Sequence, residues 1–161
     1  MEVRRTFDLL DRYAEKFIIE DAFAIKRNKK WELFSTQDYI DNSHYFAYGL
    51  MEMGYKLGDK VATVSNNRPE WNFIDMGLSL GGFIHVPIYP TISESEYAHI
   101  FADSGVKMLI LSDKMLLKKL YPLVKEASSI EELFTINTID GEKNYEEILA
   151  LGKKFEGKHK E

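Results

Sequence analysis

Four histidines, a scatter of serines and one arginine–glutamate pair beside a tryptophan are the residues of this chain with chemistry to offer; it has no cysteine. Without thiols there are no disulfides, no thiolate nucleophile and no thiolate metal site. His44, His85, His99 and His159 are each more than four residues from the next, and His85 stands in a strand shortly before Pro87. That spacing does not build a metal site, so each histidine is read as structural or solvated. A nucleophilic serine would want a G-x-S-x-G elbow, and no serine has one. Phosphate binding needs a loop of small residues whose amides approach the anion closely. Ser79-Leu80-Gly81-Gly82 and Ser104-Gly105 come nearest, and both are better explained as helix ends.

The most specific short motif is Arg68-Pro69-Glu70-Trp71. It follows a buried strand, Val61 to Val64, and a polar turn, Ser65 to Arg68, and so falls where ligands bind in open α/β sheets. On a functional reading, Asn66, Asn67 and Arg68 line a cleft. On a structural reading, Arg68 and Glu70 pair at a helix start while Trp71 fills the core. The run His85-Val86-Pro87-Ile88-Tyr89-Pro90-Thr91 divides the same way, its prolines fixing the backbone where a strand leaves the sheet.

These residues are positioned by a βαβ unit from Lys60 to Thr91, whose helix opens at Pro69 and closes at Gly81-Gly82. Upstream, Phe7, Leu9, Leu10, Tyr13, Ala14 and Phe17 recur at helical spacing, with Thr6 as cap. Ala22 to Lys26 and Trp31 to Phe34 read as a hairpin around Arg27-Asn28-Lys29-Lys30. Ser35 and Asp38 form a capping box for an aromatic-rich helix that Gly54 ends, its stripe read as core packing. Downstream come a helix capped at Ser93 and closed by Gly105, a strand from Val106 to Leu111, and a helix from Ser112-Asp113 to about Glu126. A strand from Leu133 to Asn137 and a helix from Asn144 to Lys154 complete the pattern. Alternation of strand and helix after Val61 predicts a mainly parallel sheet with helices on both faces and a short hairpin near the amino terminus. Residues 1–151 are read as one α/β subdomain and 152–161 as a charged frayed tail or the start of a linker.

At 161 residues the chain can bury one sizeable core but is short for a two-domain enzyme. A formal charge of −5 gives no field for holding nucleic acid. No apolar run approaches the roughly 20 residues that cross a bilayer, and Met1 to Thr6 holds no signal core, so a soluble, cytoplasmic protein is expected.

The run SNNRPEW, followed at a distance by HVPIYPTISESEYAHIFADSGVKMLI, resembles the amino-terminal region of the long-chain fatty acid–CoA ligases among the AMP-forming adenylating enzymes. RTFDLLDRYAEKF and GYKLGDKVATVSNN fit the same order, so the resemblance covers nearly the whole chain. It implies a truncated amino-terminal domain of an enzyme that joins a fatty acid to coenzyme A through an acyl-adenylate, using ATP and magnesium. The family's Ser/Thr/Gly-rich phosphate segment with its lysine is not found in this sequence, nor are its later acidic motifs. The chain alone is therefore expected to be inactive, with no catalytic, metal or cofactor-binding residue of its own. The family's catalytic groups lie elsewhere, so Asn66, Asn67, Arg68, Pro69, Glu70, Trp71, Pro87, Tyr89, Pro90 and Thr91 are taken as structural family-motif positions, with Tyr89 able to face a further subdomain. The expected partners are the remainder of the parent enzyme and a second copy, and the parent could touch a membrane peripherally. The competing reading is a complete small binding module, flavodoxin-like or receiver-like; Ser65-Asn66-Asn67-Arg68-Pro69 supplies neither the phosphate loop of the first nor the paired acids of the second.

Overall fold

A computed structural model of the chain describes residues 2–159, with His159 seen only as backbone. Helix α1 (Asp8–Lys16) leads to a hairpin of β1 (Phe23–Arg27) and β2 (Lys30–Phe34), then α2 (Thr36–Glu52). From there strand and helix alternate: β3 (Lys60–Val64), α3 (Pro69–Gly81), β4 (Ile84–Ile88), α4 (Glu94–Ser104), β5 (Met108–Leu111), α5 (Lys114–Glu126), β6 (Glu132–Thr135) and α6 (Tyr145–His159). β3 to β6 form a parallel sheet in the order β4-β3-β5-β6, as the alternation predicts.

Strand alternation divides the core. Val61, Met108, Ile110 and Phe134 point to one face, where Phe46 and Leu50 of α2, Ile74 and Leu78 of α3 and Ile148 of α6 cover them. Ala62, Val64, Leu109 and Leu111 point to the other, under Tyr97 and Phe101 of α4 and Leu116, Leu117 and Leu120 of α5. A third cluster places Leu10, Tyr39, Phe73 and Met76 beneath the hairpin, so α1 and the hairpin ride on α2 and α3. The hairpin turns at Asn28 and Lys29, both with positive φ (50° and 64°), the two-residue geometry whose twist matches that of the strands.

The capping boxes at Ser35–Asp38 and Ser93–Glu96 form, and Gly82 and Gly105 take left-handed caps. Other expectations are corrected. Thr6 does not cap α1; the N-cap is Phe7, without a side-chain bond, and the Asp8 carboxylate accepts the amides of Arg4 (3.0 Å) and Arg5 (2.9 Å). Ala14 is exposed and Phe17 is 49% exposed, so the buried stripe of α1 is narrower than its periodicity implies. Strand pairing ends at Thr135, although Ile136 and Asn137 still donate to Leu111 (2.8 Å) and Ser112 (3.1 Å).

The largest difference lies at the carboxyl end, where α6 runs on to His159, past its expected end at Lys154, through residues read as a charged frayed tail or the start of a linker. The reason is close helix packing on α2. A Cβ on Gly152 would lie 1.8 Å from the Tyr45 carbonyl oxygen, and one on Gly49 would lie 2.1 Å from that of Ile148. Each helix thus offers a glycine to the other's backbone, and the charge run becomes the solvated outer face, with Lys158 on Glu52 at 3.0 Å.

Candidate functional site

The carboxyl ends of the four parallel strands gather the polar residues. β3 runs into Ser65-Asn66-Asn67-Arg68, β5 into Ser112-Asp113, β6 into Asn137 and β4 into Tyr89-Pro90-Thr91. The chain leaves β3 for β4 on one side and returns to β5 on the other, so a topological switch point falls between β3 and β5.

Two concavities open there. The larger, about 700 Å³, lies above β3 and β4 and is lined by Ser65, Asn66, Asn67, Trp71, Pro87, Ile88, Tyr89, Pro90 and Thr91. The smaller, about 400 Å³, sits at the switch point, where Ile25, Arg27 and Asn28 of the hairpin meet Asn66, Asn67, Arg68, Ser112, Asp113 and Asn137. The ten motif positions therefore separate. Asn66 and Asn67 line both hollows, and Trp71, Pro87, Tyr89, Pro90 and Thr91 line the larger one. Pro69 is the buried first residue of α3, and Arg68 and Glu70 form an ion pair. Trp71 is half-buried in the cleft wall instead of filling the core.

Arg68 ties the strand ends together. Its Nε and Nη2 donate to the two carboxylate oxygens of Glu70, both at 2.9 Å, and its Nη1 donates to the Ser112 carbonyl (3.2 Å) and Asn137 Oδ1 (3.0 Å). Arg27 reaches Glu70 from the hairpin and also holds Glu32 at 2.7 Å. Burial pushes the Glu70 carboxyl up, but the hydrogen bonds and charge of Arg68, with Arg27 behind it, outweigh burial and hold it below the ordinary carboxylate range. Asp113 is similar: burial raises it, and a bond from Ser112, the amides of Leu116 and Met115 and the Asn66 amide together lower it. Asp113 is the N-cap of α5, so its own carboxylate already occupies that helix terminus.

A second cluster was invisible to residue spacing. His85 Nδ1 lies 2.7 Å from Asp75 Oδ1, its Nε2 lies 2.8 Å from Thr63 Oγ1, and Trp71 covers the ring with centroids 5.3 Å apart. Carboxylate, imidazole and hydroxyl stand in the order of a nucleophilic triad. Thr63, however, is wholly buried in the central strand, where no substrate can approach it, so the cluster fastens α3 to the sheet. His44 bonds the Ile40 carbonyl (2.9 Å) and His99 is exposed; the His159 side chain lies outside the described residues. Among the described residues no group of three or more potential metal ligands gathers.

The turn after β3 carries Asn66, Asn67 and Arg68 side chains where a phosphate would need bare amides, the α5 terminus is filled by Asp113, and Arg68 is committed to Glu70, Ser112 and Asn137. Gly82 and Gly105, the nearest phosphate-loop candidates, are helix caps.

Residues 10–158 match the family described as AMP-binding enzyme. The chain is 24% identical over 177 aligned residues to fatty acyl-CoA synthetase B of Dictyostelium discoideum, covering 99% of this chain and 26% of that protein. It is 28% identical over 123 residues to a long-chain-fatty-acid–CoA ligase (ACSBG1) of Homo sapiens, covering 76% of this chain and 16% of that one. In structure it resembles a long-chain-fatty-acid-CoA ligase from Archaeoglobus fulgidus, with a TM-score of 0.76, 21% identity, and coverage of 94% of this chain and 31% of that one. The chain thus spans about a quarter or less of the curated relatives it matches. By the match along nearly its whole length, this chain belongs to the AMP-binding enzyme family.

Proposed function

We propose that this chain is the amino-terminal α/β scaffold of an AMP-forming fatty acid–CoA ligase, which in its full length converts a fatty acid, ATP and coenzyme A to acyl-CoA through an acyl-adenylate. The observation that carries this reading is the family match over residues 10–158, alongside relatives of which the chain spans only 16% to 26%. The strand ends support it: their charged groups are committed to one another, and the cleft above β3 and β4 presents Trp71, Tyr89 and prolines with no ionised group, a surface suited to packing against further polypeptide. ATP, magnesium and coenzyme A belong to that further polypeptide. No helix among the described residues is long and apolar enough to cross a membrane, and the cysteine-free composition suits a reducing cytoplasm.

The test is acyl-CoA formation by the purified chain supplied with palmitate, ATP, magnesium and coenzyme A, read by chromatography. No product is expected, and product above a no-protein control overturns the reading. Saturable binding of a flavin or a phospho-donor would instead favour the self-sufficient binding module.

A further inference from the structure

Among the described residues the outer backbone edge of the hairpin pairs with no other strand. β2 is hydrogen-bonded to β1 on one side only, and Lys30, Trp31, Glu32 and Leu33 are all exposed, Trp31 at 66% and Leu33 at 56%. β1 faces inward instead, with Phe23 edge-on to Phe73 at 5.7 Å and Arg27 on Glu70. The register Lys26↔Trp31 and Ala24↔Leu33 puts Trp31 and Leu33 on the outer face, and Lys30 and Glu32 therefore on the other. An open edge carrying exposed Trp and Leu is a template for another strand.

We propose that this edge of β2 pairs with the same edge of a second copy, antiparallel about a two-fold axis that passes between Trp31 and the partner's Trp31. In an isologous antiparallel pair, directly opposed residues share a face, which leaves only registers centred on a residue. Centring on Glu32 would oppose Glu32 to the partner's Glu32, and centring on Leu33 would oppose Glu32 to the partner's Phe34 with no charge pair formed. Centring on Trp31 opposes Lys30 to the partner's Glu32, repeats that pair by symmetry, and brings Trp31 against the partner's Trp31. Cross-strand aromatic pairs and opposite charges stabilise a ladder, and like charges oppose it, so the charge pattern selects the Trp31 register. The Arg27–Glu32 contact at 2.7 Å holds the Glu32 carboxylate at its place on the strand. An anionic bilayer is the weaker match, since the edge alternates base and acid in a chain of net charge −5.

The test is sedimentation velocity on the whole chain from about 5 to 200 μM, where a small interface populates. A dimer is expected. Lys30→Glu turns two ion pairs repulsive and weakens it roughly tenfold or more, and Trp31→Ser weakens it by a comparable factor. The double reversal Lys30→Glu/Glu32→Lys restores the complementary pairs and returns the dissociation constant to within about threefold of the original. Thermal melts by circular dichroism verify that each variant is folded. A monomer throughout the range overturns the proposal, as does a dimer indifferent to Lys30→Glu and Trp31→Ser, or a folded double reversal that stays monomeric. Binding to phosphatidylcholine–phosphatidylglycerol vesicles that Lys30→Glu abolishes, without self-association, also overturns it and assigns the edge to lipid.

Discussion

Replacing Arg68 by alanine tests whether the strand ends are a locked ion cluster. The Arg68 and Glu70 side chains are only 8% and 6% exposed, so removing the guanidinium strips two hydrogen bonds from a buried carboxylate and one each from the Ser112 carbonyl and Asn137. Breaking a buried pair by removing one partner typically costs about 3–5 kcal/mol. Arg27 remains on Glu70, and at 35% exposure it lets water in behind it, which places the expected loss at the lower end, about 3 kcal/mol. Urea unfolding at pH 7 reads this directly, and in a chain of this size the same loss lowers Tm by roughly 6–12 °C. Replacing both partners, Arg68→Met/Glu70→Met, removes the uncompensated charge and is expected to fall within about 1 kcal/mol of the parent. The pH dependence has a fixed sign. The Glu70 carboxyl is lowered in the folded state, so its contribution is complete above the ordinary glutamate pKa and is lost as pH falls through the lower, folded value. The gap between the parent and Arg68→Ala should therefore be full at pH 7 and shrink below about pH 4.5. A loss under about 1 kcal/mol, or a double variant as unstable as the single, would refute the locked cluster.

Two further outcomes follow from helix geometry. Gly152→Ala gains helix propensity but drives a Cβ into the Tyr45 carbonyl, and about 2 kcal/mol of destabilisation is expected on balance, whereas Gly157→Ala in the same helix meets nothing within 4 Å and should stabilise slightly; urea midpoints distinguish them, and a more stable Gly152→Ala would contradict the glycine contact. Asp113→Ala leaves the amides of Met115 and Leu116 without their acceptor, and thermal melts should show a loss of about 1 kcal/mol, which Asp113→Ser largely restores.

Local signals in the sequence carried most of the fold. Capping boxes at Ser35 and Ser93, proline at the start of α3 and glycine after α3 and α4 fix helix ends by chemistry that spans three or four residues, and they appear where expected. What depends on register or on packing between distant helices was not legible. Thr63 and His85 meet because β3 and β4 align Thr63 with Pro87, and Asp75 reaches them only once α3 lies on the sheet. Arg27 reads as a turn residue on a basic tip, yet the hairpin delivers it to Glu70, 43 residues away. Gly152 sits among charged residues and reads as the start of a frayed tail or linker; its role exists only because α2 passes close enough to exclude a Cβ. The same distinction bears on the motif positions, since Arg68 and Glu70 satisfy each other from two residues apart, a local pairing that the sequence predicts, whereas Trp71 on α3 meets the His85 ring of β4 at a tilt and lies in the cleft wall. Position along a motif therefore does not fix a role. The charged members of this one neutralise each other beside the switch point, and its aromatic member gives the neighbouring cleft an apolar wall.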